Sequence, residues 1–117
     1  MTDNNDNPQN QRNQKRISTR RPAEILVNDQ LFSAVMINLS LEGIGLISDT
    51  CFKEGDQIKI KFDLPGYEQS SQLALNGAVT HRTNVNKKCM IGVQFSLLSL
   101  HENLVITGFI NYHQRLG

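Results

Sequence analysis

From Gln57 to Leu64 the chain alternates without interruption, with Ile58, Ile60, Phe62 and Leu64 on one parity and Gln57, Lys59, Lys61 and Asp63 on the other. Successive side chains of a strand point to opposite faces, so this segment suits a strand with one wet and one buried face. Such a strand is not stable alone and needs partners in a sheet. Ala23, Ile25 and Val27 alternate up to Asn28-Asp29, a pair suited to a tight hairpin turn, and the return strand runs from about Leu31 to Leu39. Ile44-Gly45-Leu46-Ile47 reads as a short strand with a glycine that marks close approach of backbone to something, Leu73, Leu75 and Val79 as the inner parity of a long one, and Cys89, Ile91, Val93 and Phe95 as the last. Between them, Pro65-Gly66 suits a type II turn with Gly66 at positive φ, and Thr83 to Lys88 a polar turn.

A different period follows. Ser99 with Glu102 forms a capping box, and the segment to about Gln114 contains no proline, which predicts a closing helix. Val105, Phe109 and Tyr112 form one stripe, with Leu104, Ile106 and Ile110 beside it, so the apolar surface is wide for a surface helix. It is expected to plug one end of the sheet structure. Whether its other apolar side also holds a homodimer together stays open. The predicted fold class is all-β with one α-helix: a six-stranded antiparallel β-barrel, a flexible basic N-terminal arm and a C-terminal α-helix. Closing the sheet removes its edges.

A chain of 117 residues is one domain by length. Residues 1–21 are read as the arm and 22–117 as the barrel with its helix. Met1 to Gln14 is mostly Asn, Asp and Gln and offers nothing to bury after Met1, so it is expected to be disordered alone. The net charge of +1 conceals a division. Arg12, Lys15, Arg16, Arg20 and Arg21 oppose only Asp3 and Asp6, whereas carboxylates outnumber cations from Pro22 onward. A basic arm on an acidic body points to a local anionic target and away from DNA. Cys51 and Cys89 are far apart in sequence and are expected to be two reduced thiols. The N-terminus lacks the apolar stretch of a secretory signal, and no run approaches the roughly 20 apolar residues of a membrane span. No membrane insertion and a cytoplasmic location are expected.

Two short signatures carry the chemistry: Arg12-x-x-x-Arg16 and Asn38-Leu39-Ser40-Leu41-Glu42-Gly43. Asn38 and Ser40 are two apart and share a face, opposite to Val35, Ile37 and Leu39, hence on the outside of the barrel. They offer an amide and a hydroxyl, and Gly43 leaves room for a flat ligand. Guanidinium groups can bridge phosphate oxygens, pair with guanine O6 and N7, and stack on a base. A second match, Arg16/Arg20, overlaps the first, and composition does not separate them. His81, His101 and His113 have no metal-like spacing with the cysteines, and Ser40 has no identifiable base, so no enzyme is expected and no cofactor.

The ordered pair of signatures, followed by a six-stranded barrel and a helix, resembles the PilZ domain family over about Arg12 to His113. Pro22-Ala23-Glu24-Ile25 and Ile91-Gly92-Val93-Gln94-Phe95 have the same family texture. The resemblance implies a bacterial receptor for cyclic di-GMP, with Arg12, Arg16, Asn38, Ser40 and Gly43 as ligand-binding residues. The family's spacing favours Arg12/Arg16, because Pro22 begins six residues after Arg16 but only two after Arg20. Two departures stand out: Asn38 where aspartate is commoner, and no Trp for an aromatic shelf on the fifth strand, a region that Thr80 or Arg82 would occupy. The resemblance further implies that ligand closes the arm over the outer barrel face and alters a surface read by an unidentified protein in motility, adhesion or polysaccharide output. Its rival is a ligand-independent adaptor of pilus or motility machinery. A small-barrel RNA binder is a third reading, weakened by few aromatic residues and an acidic body.

Overall fold

A computed structural model describes residues 15–66 and 68–116. Its strands are β1 (Ile17–Val27), β2 (Gln30–Leu39), β3 (Gly43–Ser48), β4 (Gln57–Leu64), β5 (Ser71–Val85) and β6 (Lys88–Phe95), followed by helix α1 (Leu100–Leu116). They close into an antiparallel barrel in the order β1-β2-β3-β6-β5-β4, with β4 pairing back on β1. The six-stranded barrel with one terminal helix expected from periodicity is the fold observed. The β4 alternation is realised in full: Ile58, Ile60, Phe62 and Leu64 are buried.

Both tight hairpins use left-handed residues. Asn28 and Asp29 have φ of 51° and 67°, and Asn86 and Lys87 have 50° and 69°, the pattern of a two-residue turn whose twist matches its strands. Asn and Asp tolerate this region better than most side chains. Gly66 does not take the positive φ of a type II turn; its N–H donates instead to Gln69 O at 3.0 Å.

β1 begins at Ile17, not near Ala23, so residues 17–21 of the expected arm are strand. The charged run Arg20-Arg21 hid it from a reading based on apolar alternation. A bulge between Ser18 and Arg21 in the pairing with β2 accommodates these residues.

The expected inner parity of β2 is also corrected. Ala34 and Met36 are buried in the barrel, whereas Val35 and Ile37 are half-buried on its outside. In the pairing with β3, Met36 opposes Leu46 and Asn38 opposes Gly45, which leaves Ile37 as an extra residue. This bulge resets the parity, so Leu39 points in and Asn38 out.

The two barrel ends are closed differently. Phe52, in the loop after β3, is buried and meets Phe32 edge-to-face at 5.3 Å. At the opposite end α1 inserts Ile106, Phe109 and Ile110 into the core. Tyr112, read from sequence as part of one apolar stripe with Val105 and Phe109, is exposed. The capping box forms as expected: Glu102 N–H donates to Ser99 Oγ at 3.1 Å, and Ser99 N–H donates to Glu102 Oε1 at 2.8 Å.

Cys51 and Cys89 form a disulfide with their Cα atoms 5.3 Å apart, which overturns the expectation of two reduced thiols. The β3–β4 loop returns Cys51 to the start of β6, where Cys89 pairs with Ser48, so distance in sequence misled. Among the described residues, no helix is long and apolar enough to cross a membrane.

Candidate functional site

The outer face of β2, β3, β6 and β5 carries one cross-strand row. Asn38 opposes Gly45, Gly45 opposes Gly92, and Gly92 opposes His81. The two glycines sit on the central strands because side chains from the outer strands lie over them. A Cβ on Gly45 would collide with the Asn38 carboxamide, and one on Gly92 with the His81 ring. The result is a shallow depression of about 480 Å³, lined by Arg16 and Asn38 on one side, Gly45 and Gly92 below, and Thr80 and His81 on the other.

Arg16 stands at its mouth. Its Nη1 donates to Asn38 Oδ1 at 2.5 Å, a contact bridging 22 residues of sequence. Ser18 pairs with Asn38 across β1 and β2, which sets Arg16 beside that side chain. Among the described residues one of its five N–H groups is engaged, and a guanidinium carries further donors suited to another acceptor. Asn38 keeps its Nδ2 donor for the same purpose.

The overlapping arginine pair separates in space. Arg20 lies along a different depression of about 410 Å³, with Ser33, Val35, Ile47 and Lys88. The guanidinium at Asn38 is therefore that of Arg16. Lys88 there is paired with Asp49 at 2.8 Å. Arg12 lies outside the described residues, as does the arm that precedes Lys15.

Ser40 does not share the outer face with Asn38. It is 1% exposed, and its Oγ accepts from Glu42 N–H and Gly43 N–H, each at 3.2 Å. Its own N–H donates to Gly43 O at 2.9 Å. The strand ends at Leu39, so the alternation that placed Ser40 outside no longer applies. The hydroxyl folds the turn leading into β3, as serine side chains do when they bond backbone groups a few residues ahead. Among its described contacts there is no imidazole or carboxylate.

Gly43 borders the depression, but space for a ligand is not why it is glycine. A Cβ there would strike the backbone carbonyl of Val93, so its small size brings β3 against β6. The second signature therefore works as one polar side chain facing outward and a buried turn that fixes its surroundings.

His81 is the residue that sequence reasoning missed. It carries no spacing signature, and its place in the site comes from the β5–β6 register. Thr80 is an extra residue between the pairs Val79–Val93 and His81–Gly92, so this bulge mirrors the one at Ile37. The signal available in the sequence was Gly92, a glycine inside a strand, which marks close approach by something. Arg82, also considered for this region, is not among the described residues lining the depression.

The sequence matches the PilZ domain family over residues 10–111. No curated protein matches the chain. Among solved structures, the Bacillus subtilis inhibitor of motility MotI/DgrA superposes with a TM-score of 0.80 at 16% identity, over 91% of this chain and 52% of that one. This chain thus spans about half the length of that protein. The PilZ domain of Escherichia coli YcgR, determined with c-di-GMP, gives 0.68 at 16% identity over 90% and 92%. A tetrameric PilZ domain from Xanthomonas campestris, self-assembled via a helical bundle, gives 0.67 at 12% identity over 89% and 89%. At these identities the likeness is one of fold.

Proposed function

This chain belongs to the PilZ domain family, and from that premise we propose that it is a receptor for cyclic di-GMP. The observation that carries the reading is the Arg16–Asn38 hydrogen bond at the edge of the glycine-floored depression. It brings together one member of each signature. The guanidinium offers charge to a phosphate or a two-pronged contact to guanine O6 and N7, and the Asn38 amide offers a donor to a base edge. Arg12 supplies the second grip, so that ligand closes the N-terminal segment over the outer barrel face. Ser40 and Gly43 act through the turn that holds Asn38 in place.

The role we propose is binding; among the described residues Ser40 Oγ hydrogen-bonds only to backbone groups of its own turn. The location we propose is cytoplasmic, where the messenger is met. Downstream, a protein in motility, adhesion or polysaccharide output reads the altered surface. A separate surface is an i, i+4 row on α1. Leu100 is 76% and Leu104 61% exposed, and Gly108 follows with open space above it. Such a ridge with a gap suits packing against a second helix, and we assign it to a homodimer contact. The X. campestris neighbour assembles via a helical bundle, which supports this choice.

Calorimetric titration with cyclic di-GMP tests the receptor reading. Charge-assisted hydrogen bonds contribute about 1.5–3 kcal/mol each. Losing two of them in Arg16→Ala corresponds to a drop in affinity of at least roughly 100-fold. No heat from the wild-type protein would favour the ligand-independent adaptor instead.

A further inference from the structure

We propose that the Cys51–Cys89 pair is a reversible redox site, opened by a dithiol reductant and reclosed by a disulfide oxidant while the barrel stays folded. It stands apart from the receptor reading above. The two sulfurs are unequally placed. Cys51 lies on the loop after β3 and is exposed, whereas Cys89, the second residue of β6, is fully buried. An attacking thiolate therefore reaches the bridge at Cys51 Sγ, and Cys89 is the leaving group. In the first step a bond forms between the reductant and Cys51, the Cys51–Cys89 bond breaks, and the electron pair goes to Cys89 Sγ, which takes a proton. The second thiolate of the reductant then attacks the reductant's own bound sulfur. This closes the reductant's disulfide and releases Cys51, which takes a proton. The protein gains two electrons and two protons, and the dithiol loses them.

Both redox states fit the structure. Cys89 Sγ lies 3.2 Å from Asn84 Oδ1, and the two residues are paired across β5 and β6. A disulfide sulfur carries no hydrogen, so this contact becomes a hydrogen bond only when Cys89 is a thiol. The loop does not need the bridge to stay in place. On one side of Cys51, Thr50 N–H donates to Ser48 Oγ at 3.1 Å. On the other, Phe52 is buried against Phe32, Gly55 N–H donates to Val79 O at 2.7 Å, and Val79 N–H donates to Asp56 O at 2.9 Å. These contacts keep the opened thiols near one another, and a partner held at high effective concentration recloses the bond. In a reducing compartment such as the one proposed above, disulfides that persist are rare and those that cycle act as sensors. What the opening alters is local. Asp49 precedes Cys51 by two residues and Lys88 directly precedes Cys89; their ion pair stands at the rim of the depression that holds Arg20, Val35 and Ile47. Gly92 lies three positions beyond Cys89, about 10 Å along the strand, so the glycine row keeps its register.

The test treats the full chain with dithiothreitol in the absence of denaturant, followed by alkylation and mass spectrometry. The rate of opening should double with each doubling of dithiothreitol, as for direct attack on an accessible sulfur. A rate that levels off at the global unfolding rate overturns the inference, because the bridge would then open only in unfolded chains. With oxidised glutathione, folded Cys89→Ser should gain one glutathionyl group at Cys51, while folded Cys51→Ser stays unmodified. The reverse pattern overturns the assignment of the attacked sulfur. In NMR spectra of the reduced chain, amide shifts should concentrate at residues 48–53 and 84–90, with Asn38, Gly45 and Gly92 unmoved. Collapse of the whole spectrum on reduction overturns the inference and makes the bridge a staple of the fold. Replacing dithiothreitol with oxidised glutathione should restore the original spectrum, and thiols that stay unpaired overturn reversibility. A chain that binds no cyclic di-GMP overturns the receptor reading and leaves the redox site standing.

Discussion

Ser40→Ala separates a ligand contact from a fold contact, because the structure and the sequence assign this hydroxyl to different tasks. Its Oγ accepts two backbone N–H groups, from Glu42 and Gly43, at 3.2 Å each. The two losses are unequal. Glu42 is exposed, so water can replace the serine and only the ordinary net value of a hydrogen bond, about 0.5–1.5 kcal/mol, is lost. Gly43 is buried against β6, and its N–H would be left unsatisfied, at about 1–3 kcal/mol. Together these give a destabilisation of about 2–4 kcal/mol. For a domain of this size, each kcal/mol lowers the melting temperature by roughly 4–8 °C.

The expected outcome is a melting temperature lower by roughly 8–30 °C, with a urea midpoint reduced at unchanged m-value, as for a change in stability alone. Ligand affinity measured well below the new transition should weaken only in step with the loosened turn. A variant that melts like wild type yet fails to bind cyclic di-GMP would refute this. Ser40 would then act on the ligand, and the buried turn would owe nothing to its hydroxyl.

Two further outcomes follow from the fold. Reducing the disulfide releases a closure spanning 38 residues, for which chain entropy gives about 4 kcal/mol. A reductant should therefore lower the melting temperature of wild type and leave Cys51→Ser/Cys89→Ser unmoved; equal melting with and without reductant argues against the pairing. On α1, replacing Leu100 and Leu104 with serine should convert a dimer to a monomer in sedimentation equilibrium with the barrel still folded. An unaltered mass for the double variant removes the helix from the interface.

How far the sequence disclosed this molecule depends on whether a feature is local. β4 and the inner positions of β5 follow from alternation alone, and the helix start follows from Ser99 and Glu102, whose bonds close over three residues. The Asn-Asp turn is equally local, because left-handed φ is a property of the residues themselves. β1 was read short because its first turn of strand is charged, with Ile17 the buried residue that anchors it. The barrel, not the strand, makes that segment extended.

The site was legible in its arginine and its asparagine but not in how they come to meet. Ile37 and Thr80 look like ordinary strand residues, and an extra residue in a ladder is visible only against the partner strand. The bulge at Ile37 undoes the expected inward parity of Val35 and Ile37, whereas Ser40 turns inward because the strand ends at Leu39. The glycines show the same limit from the other direction. Gly43 reads as room for a ligand, yet it answers to the Val93 carbonyl, whereas Gly45, read only as a point of close backbone approach, and Gly92, read as a plain strand residue, form the floor of the depression. A glycine's reason lies in what stands opposite it. In this barrel the register that sets Gly45 against Gly92 also sets Asn38 against His81, so a one-residue deletion at either bulge would turn its flanking side chain away and close the site without altering a single signature residue.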